Sequence, residues 1–463
     1  MEIIISSLEA EGFFKVGGIG DYISGLSKSL ANENNFNVKV FMPKFNDINE
    51  DNLELLTSLS IGSNLNSFDD ELINFNVYKS ELDKVDFYFI DNEHYFNEGG
   101  SDVYRSGIVY LKFAFFSRAI VETIKHMGWD VDVLHINDYP NGLLPLICKN
   151  TIVNAPKFVL TIHSIYFQGD YEIDSACFDL LNYYLGFEWK ENSICFMKEA
   201  IINSDILLTV GKTNAEDIQT PEYGYGLDNY IRDGGVIGLL NGINYDLYPR
   251  CDNFYEFLDI KREAKLNIQK RFDLEVNEDI PLFLYCGRLG GTQKGCHFLL
   301  EVIDYLMEDD CQFILLANGE RFREEFIENS KLHKNFVACI ELNPALARDL
   351  YEASDILLMP SLCEPNGLSQ IIAMYHGTIP IVHNIGGLKD TIIDILKYPD
   401  EGNGFKFYNY TVDEFSGSIS DALNIFRNDK QKWIQIMKNC YDEDYSWKKM
   451  VKPYVEIYKS LNR

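Results

Sequence analysis

A lysine leads into three glycines at Lys15, Gly17, Gly18 and Gly20, early in the chain. Glycines at such a point let backbone approach a ligand closely, and a lysine beside them adds a full positive charge, so the stretch suits an anion. A tight turn with a surface lysine accounts for the same residues. A second cationic stretch, CGRLGGTQKG, carries Arg288 and Lys294. Two cations and free amides in one loop suit a diphosphate; a solvated basic loop is the plainer alternative. The third stretch, MPSLCEPNGLSQ, carries Glu364 just before Gly367 and Leu368. A carboxylate there can grip the hydroxyls of a sugar ring while neighbouring amides hold phosphate. An acid stabilised by a helix N-terminus explains Glu364 equally well, though not the Pro365 and Gly367 around it. Two further stretches, HINDYPNGLLP and TIHSIYFQGDY, carry Asp138 and His163 at strand ends; a lone histidine there is more often structural than catalytic, and His135 and Asp138 lack a metal-ligand spacing.

The elements that must position these residues alternate. EIIISSL, VKVFMP, VDFYFID, DVLHIN, KFVLTIH and DILLTV read as strands, and a second series follows in PLFLYCGRL, QFILLANG, FVACIEL, DILLMPS and TIPIVHN. Several are continuous apolar runs, as expected of parallel strands buried on both faces. Amphipathic helical patterns lie between them, among them DYISGLSKSLANE after the first glycine loop. The class is therefore α/β, with doubly wound, Rossmann-like sheets. Each chemistry-bearing stretch then falls at the carboxyl end of a strand, where such folds bind ligands. The turn-rich stretch LLNGINYDLYPR separates the two series. It predicts an N-terminal domain over 1–242 and a C-terminal domain from 243 onward, with a cleft between them. The polar segment 50–71 reads as irregular surface.

Composition narrows the partners. The chain has 463 residues and a formal net charge of −30, a field that repels nucleic acid and anionic membranes. Against that background, concentrated cations are informative. Ten cysteines are scattered without a C-x-x-C pair, which points to reduced thiols in a cytoplasmic protein. No apolar run is long enough to span a membrane, and the N-terminus lacks the basic region of a signal peptide.

Taken together and in order, these stretches resemble the bacterial glycogen synthases and plant starch synthases, retaining glucosyltransferases of the GT-B fold. KVGGIGD is similar to that family's glycine loop, and FAFFSRA, HINDYPNGLLP, TIHSIYFQG, LLNGIN, GRLGGTQKG, PSLCEPNGLSQ, GGLKDT and the closing DYSWKKMVKPYVEIY follow in family order. The resemblance implies transfer of glucose from a nucleotide-glucose, ADP-glucose or UDP-glucose, to the non-reducing end of an α-1,4-glucan. It implies no metal or other cofactor, and it implies that a closing helix over 441–463 returns to the first domain, which leaves 243–440 as the second. Lys15, Gly17 and Gly18 would meet the donor, with Asn241, Gly319, Asn366, Gly367 and Leu368 as further donor-binding positions. His163, Asp138, Arg288, Lys294 and Glu364 would be catalytic, with Arg288 and Lys294 on the leaving diphosphate. The chain departs from the family at Asn137 and Pro140, at Asn366, at Leu342 and at His383, and its Arg288–Lys294 loop is one residue longer than in many bacterial members. The altered HINDYP stretch motivates a second reading, a related GT-B transferase with another sugar or acceptor; a third, a non-catalytic glucan-binding paralogue, is opposed by the presence together of Lys15, His163, Arg288, Lys294 and Glu364.

Overall fold

The computed structural model describes residues 1–62, 72–97, 99–104, 108–290, 292–308 and 310–461. The chain forms two compact units, Met1–Gly242 with Ser446–Arg463, and Ile243–Tyr445.

The first unit is built on a nine-stranded sheet. Its order is Val236–Gly238, Ile206–Thr209, Lys157–Ile162, Val133–Asn137, Glu2–Ser6, Asn37–Pro43, Val85–Asp91, Ile73–Leu82, Glu54–Ile61. The strands from Val236–Gly238 to Val85–Asp91 pair in parallel, and the last two are antiparallel. Ile3, Ile4 and Ile5 are fully buried, because helices cover both faces of a parallel strand. The chain enters the sheet at Glu2–Ser6 and builds outward on both sides, so the strand order reverses there. Ligands bind at the carboxyl ends of strands at such a point.

The helix Gly18–Ala31 buries Tyr22, Ile23, Leu26 and Leu30. It starts three residues earlier than the sequence pattern suggests, which places Gly18 and Gly20 in its first turn rather than in the loop. The final helix, Trp447–Leu461, belongs to this unit and lies against the first one. Gly25 makes that close approach possible: a Cβ there would meet Trp447 at 1.8 Å. Tyr458 then reaches the buried His135, whose other ring nitrogen meets Thr161, both at 2.7 Å.

The segment 50–71 is not all irregular. Glu54–Ile61 is an edge strand paired antiparallel with Ile73–Leu82. Its outer position leaves it half solvated, so its side chains lack the continuous apolar run of the inner strands. Ahead of it, Glu50–Asn52 forms a single 3-10 turn, and residues 63–71 of that segment lie outside the described residues.

The second unit holds a six-stranded, wholly parallel sheet in the order Phe336–Ile340, Gln312–Asn318, Leu282–Arg288, Ile356–Met359, Ile379–His383, Phe405–Phe407. Its order reverses at Leu282–Arg288. Residues 441–445 stay with this unit. Tyr441 closes the helix Lys430–Asp442 and packs on the Arg250 guanidinium, which sits between the Tyr375 and Tyr441 rings at 3.9 and 3.7 Å. The return to the first unit therefore begins at Ser446 rather than at 441.

Candidate active site

Both reversal points carry the residues singled out from the sequence. In the first unit, the strand Glu2–Ser6 runs into the loop that contains Glu9 and Lys15. Lys15 pairs with Asp21 at 2.7 Å and Glu11 at 3.0 Å. Burial opposes its charge, but the two carboxylates outweigh that and raise the ammonium pKa, so Lys15 stays cationic. Gly17 has an ordinary extended backbone (φ −143°), and a Cβ there would meet no atom of the described residues within 4 Å. Among the described residues no packing contact calls for a glycine, so the space suits an external group approaching the backbone.

Glu9 shapes this loop, and sequence reasoning passed over it. Its buried carboxylate accepts hydrogen bonds from the Val16 and Gly17 amides, both at 2.7 Å, and from the Tyr104 hydroxyl at 2.5 Å. Those two loop amides are therefore held by the protein itself. An acid soon after the first strand is visible in SLEAEGFF, but its burial and its partners depend on the fold.

Asp138 follows the neighbouring strand Val133–Asn137. It is a non-glycine residue at φ +53°, a strained backbone of the kind that gathers at functional sites. Its carboxylate accepts from the His163 amide at 2.7 Å and the Ser164 amide at 3.3 Å. Burial raises its pKa to about 7 despite those hydrogen bonds, and the Glu9 charge adds to the rise. His163 closes the strand Lys157–Ile162 and packs edge-on against Tyr22 at 4.6 Å. Burial lowers its pKa to about 3, so the imidazole is neutral at pH 7. Its Nε2 lies 3.0 Å from Asn137 Oδ1. The Asn137 amide nitrogen donates to the Ser6 carbonyl, so Oδ1 is the acceptor, and His163 carries its proton on Nε2. Asn137, a departure from the family pattern, thus sets the tautomer and leaves Nδ1 with a lone pair. Asn241 is buried beyond the edge strand Val236–Gly238.

In the second unit, Arg288 ends its strand with an exposed side chain. Lys294 lies in the following loop and pairs with Glu364 at 2.6 Å, and Ser361 donates to the same carboxylate oxygen at 3.2 Å. The sequence reading gave Lys294 and Glu364 separate tasks; here they form one unit. Gly367 sits at φ +70°, where a side chain would be strained and a Cβ would strike the Gln370 carboxamide at 2.4 Å. Leu368 caps the helix Ser369–Tyr375. Gln370 ties the loop together, donating to the Asn366 and Gly367 carbonyls at 3.0 Å each. Its role, too, was hidden in the sequence. Gly319, at φ +123°, follows the strand Gln312–Asn318 beside Leu289. His383 is buried, with Nδ1 3.0 Å from the Ser361 carbonyl and its ring stacked on Phe407. It braces the Glu364 loop.

Two Rossmann-like α/β domains, each with clustered polar and cationic groups at its strand-order reversal, define a GT-B glycosyltransferase. Residues 2–233 match the model of the starch synthase catalytic domain, and residues 267–439 match that of the glycosyl transferases group 1. The chain is 36% identical to a glycogen synthase of Clostridium botulinum (strain Alaska E43 / Type E3), with both sequences fully covered. It is 34% identical to one of Fusobacterium nucleatum subsp. nucleatum, covering all of this chain and 99% of the other. Among solved structures, it resembles the catalytic domain of starch synthase IV from Arabidopsis thaliana bound to ADP and acarbose, with TM-score 0.87, 27% identity, and coverage of 100% and 99%. A sucrose-phosphate synthase from Thermosynechococcus elongatus shares the fold, at TM-score 0.66 and 17% identity. The chain belongs to the glycogen and starch synthase family. It is a glycosyltransferase that moves glucosyl units from a nucleotide sugar to a glucan.

Proposed function

We propose that the enzyme takes ADP-glucose in preference to UDP-glucose and adds glucose, with retention of configuration, to the non-reducing end of an α-1,4-glucan. The observation that carries the donor choice is the full-length likeness to a starch synthase domain bound to ADP and acarbose. Breaking the sugar–phosphate bond builds negative charge on the diphosphate. Arg288, exposed at its strand end, and Lys294, held by Glu364, are cations suited to receive that charge. Such contacts strengthen in the transition state and so accelerate the step. Lys15 and the open space at Gly17 receive the donor on the first unit. Neutral His163, with its Nδ1 lone pair, accepts a hydrogen bond from a sugar hydroxyl. Asp138 holds the His163 backbone through two amides and so acts chiefly by positioning it. Retention follows if the leaving phosphate oxygen takes the acceptor's proton on the same face. That route needs no metal. All ten cysteines are free thiols, which suits a cytoplasmic enzyme.

The test is nucleotide release from ADP-glucose and from UDP-glucose, with glycogen as acceptor. Wild type is expected to turn over ADP-glucose faster. Arg288→Ala should lose about two orders of magnitude in rate, roughly 3 kcal/mol of transition-state stabilisation. Faster turnover of UDP-glucose would reverse the donor assignment, and an unchanged Arg288→Ala rate would remove Arg288 from the mechanism.

A further inference from the structure

The loop that begins at His163 carries exposed aromatic residues that the donor chemistry leaves unused. Tyr166 is 65% exposed and Phe167 59% exposed, and Tyr225, on a separate loop, is 50% exposed. The three rings form one cluster: Tyr166 lies edge-on to Phe167 at 5.2 Å and to Tyr225 at 5.4 Å. Single exposed apolar residues are ordinary, but adjoining aromatic rings held in the open mark a binding surface.

The backbone beneath the rings is fixed. The Gln168 and Gly169 carbonyls accept from the Met197 and Phe196 amides at 2.9 Å each. The Gln168 side chain donates to the Tyr225 carbonyl at 3.1 Å and so joins the two loops. Tyr225 itself is held at φ +48°, a conformation costly for a bulky side chain. Ring packing in water does not by itself call for that strain.

Area and position select the occupant. Three aromatic side chains at these exposures offer on the order of 300–400 Å². A stable protein partner needs about 800 Å² on each side. The cluster is therefore small for a second protein and suited to one or two sugar rings. A glucose ring presents a flat face of C–H bonds with hydroxyls at its rim, so an aromatic ring buries the face and leaves the hydroxyls wet. Tyr166 is three residues from His163, so their Cα atoms lie within about 11 Å. A glucan whose end reaches His163 meets this surface within a few units.

We propose that Tyr166, Phe167 and Tyr225 form an acceptor platform that stacks the glucose rings of an α-glucan behind its growing end. This rests on the reading of the enzyme as a glucan synthase. The experiment compares wild type with the triple variant Tyr166→Leu, Phe167→Leu, Tyr225→Asn, which removes the rings while keeping apolar character at two sites and an αL-tolerant residue at the third. Initial rates are measured against maltoheptaose and glycogen at saturating donor, then against donor at saturating acceptor. The platform predicts an acceptor KM raised at least about ten-fold, worth about 1.4 kcal/mol, with donor KM and kcat within about two-fold. Tyr166→Phe alone, which keeps the ring, should retain the wild-type acceptor KM. An unchanged acceptor KM in the triple variant, while wild type elongates both glucans, overturns the platform and leaves the enzyme reading intact. Loss of self-association with an unchanged acceptor KM also overturns it and assigns the surface to a second copy. If wild type elongates neither glucan from ADP-glucose or UDP-glucose, the enzyme reading and the platform fall together.

Discussion

At the scale of single residues, loss of solvent shifts two titratable groups at the first unit's site, Asp138 and His163, in opposite senses. Asp138 is pushed up from its ordinary 3.8 to about 7, chiefly by burial, and His163 is pushed down to about 3 by the same cause. A raised folded-state pKa means that the native state favours the protonated carboxyl. That stabilisation is complete below about pH 3.8 and drains away as pH rises towards 7. Asp138→Asn keeps an oxygen to accept from the His163 and Ser164 amides but cannot ionise. Relative to wild type, the variant should gain about 2 kcal/mol of stability between roughly pH 5.5 and pH 8.5, read from urea midpoints of the first unit. A constant difference across that range would show that Asp138 titrates normally. The types and strand-end positions of Asp138 and His163 were legible in the sequence. Asn137 was legible only as a departure, because its effect on the His163 tautomer depends on a contact across two strands.

At the scale of elements, the loop from Ser7 to Gly17 is where local pattern and tertiary structure part company. Its glycines and lysine could be read directly, as could the main parallel strands, whose continuous apolar runs reflect burial on both faces. The edge strand Glu54–Ile61 could not, because a half-solvated strand carries mixed side chains. Nor could the role of Glu9, since a carboxylate that binds Val16, Gly17 and Tyr104 is defined by three partners, one of them distant in sequence. Two substitutions separate the loop's shape from its openness. Glu9→Ala leaves two amides and a hydroxyl without their charged acceptor. Bonds to charged groups contribute about 1.5–3 kcal/mol each, so the donor KM should rise at least about ten-fold and the melting temperature should fall. Gly17→Ala differs in kind: its φ of −143° is ordinary and the added methyl meets none of the described residues. Its melting temperature should change little, since cap and entropy effects there amount to about 1 kcal/mol or less. Its donor KM should nevertheless rise, because the methyl occupies the space left for the ligand. A Gly17→Ala enzyme with wild-type donor kinetics would show that the backbone is not approached there.

At the scale of the whole molecule, the chain passes between its units only at Gly242–Ile243 and at Tyr445–Ser446, so the second unit is one uninterrupted segment. The turn-rich composition near residue 243 made the first crossing legible. The second is marked by no glycine or proline and becomes visible only because Tyr441 stacks on Arg250. The ends of the Ile243–Tyr445 segment meet: the Ile243 amide donates to the Tyr445 carbonyl at 2.8 Å, and the Tyr445 amide donates to the Tyr245 hydroxyl at 2.9 Å. Excision therefore breaks few contacts within the unit. The segment also has its own six-stranded sheet with both faces covered, and a domain with its own core can fold alone. It carries Arg288, Lys294, Gly319 and Glu364 but lacks Lys15 and His163. Residues 243–445 expressed alone should thus unfold in one cooperative transition and bind ADP, as calorimetry would register. They should transfer no glucose to glycogen. A fragment that folds but binds no nucleotide would move the diphosphate contacts to the first unit. One that remains unfolded would mean that the second unit's stability depends on the rest of the chain.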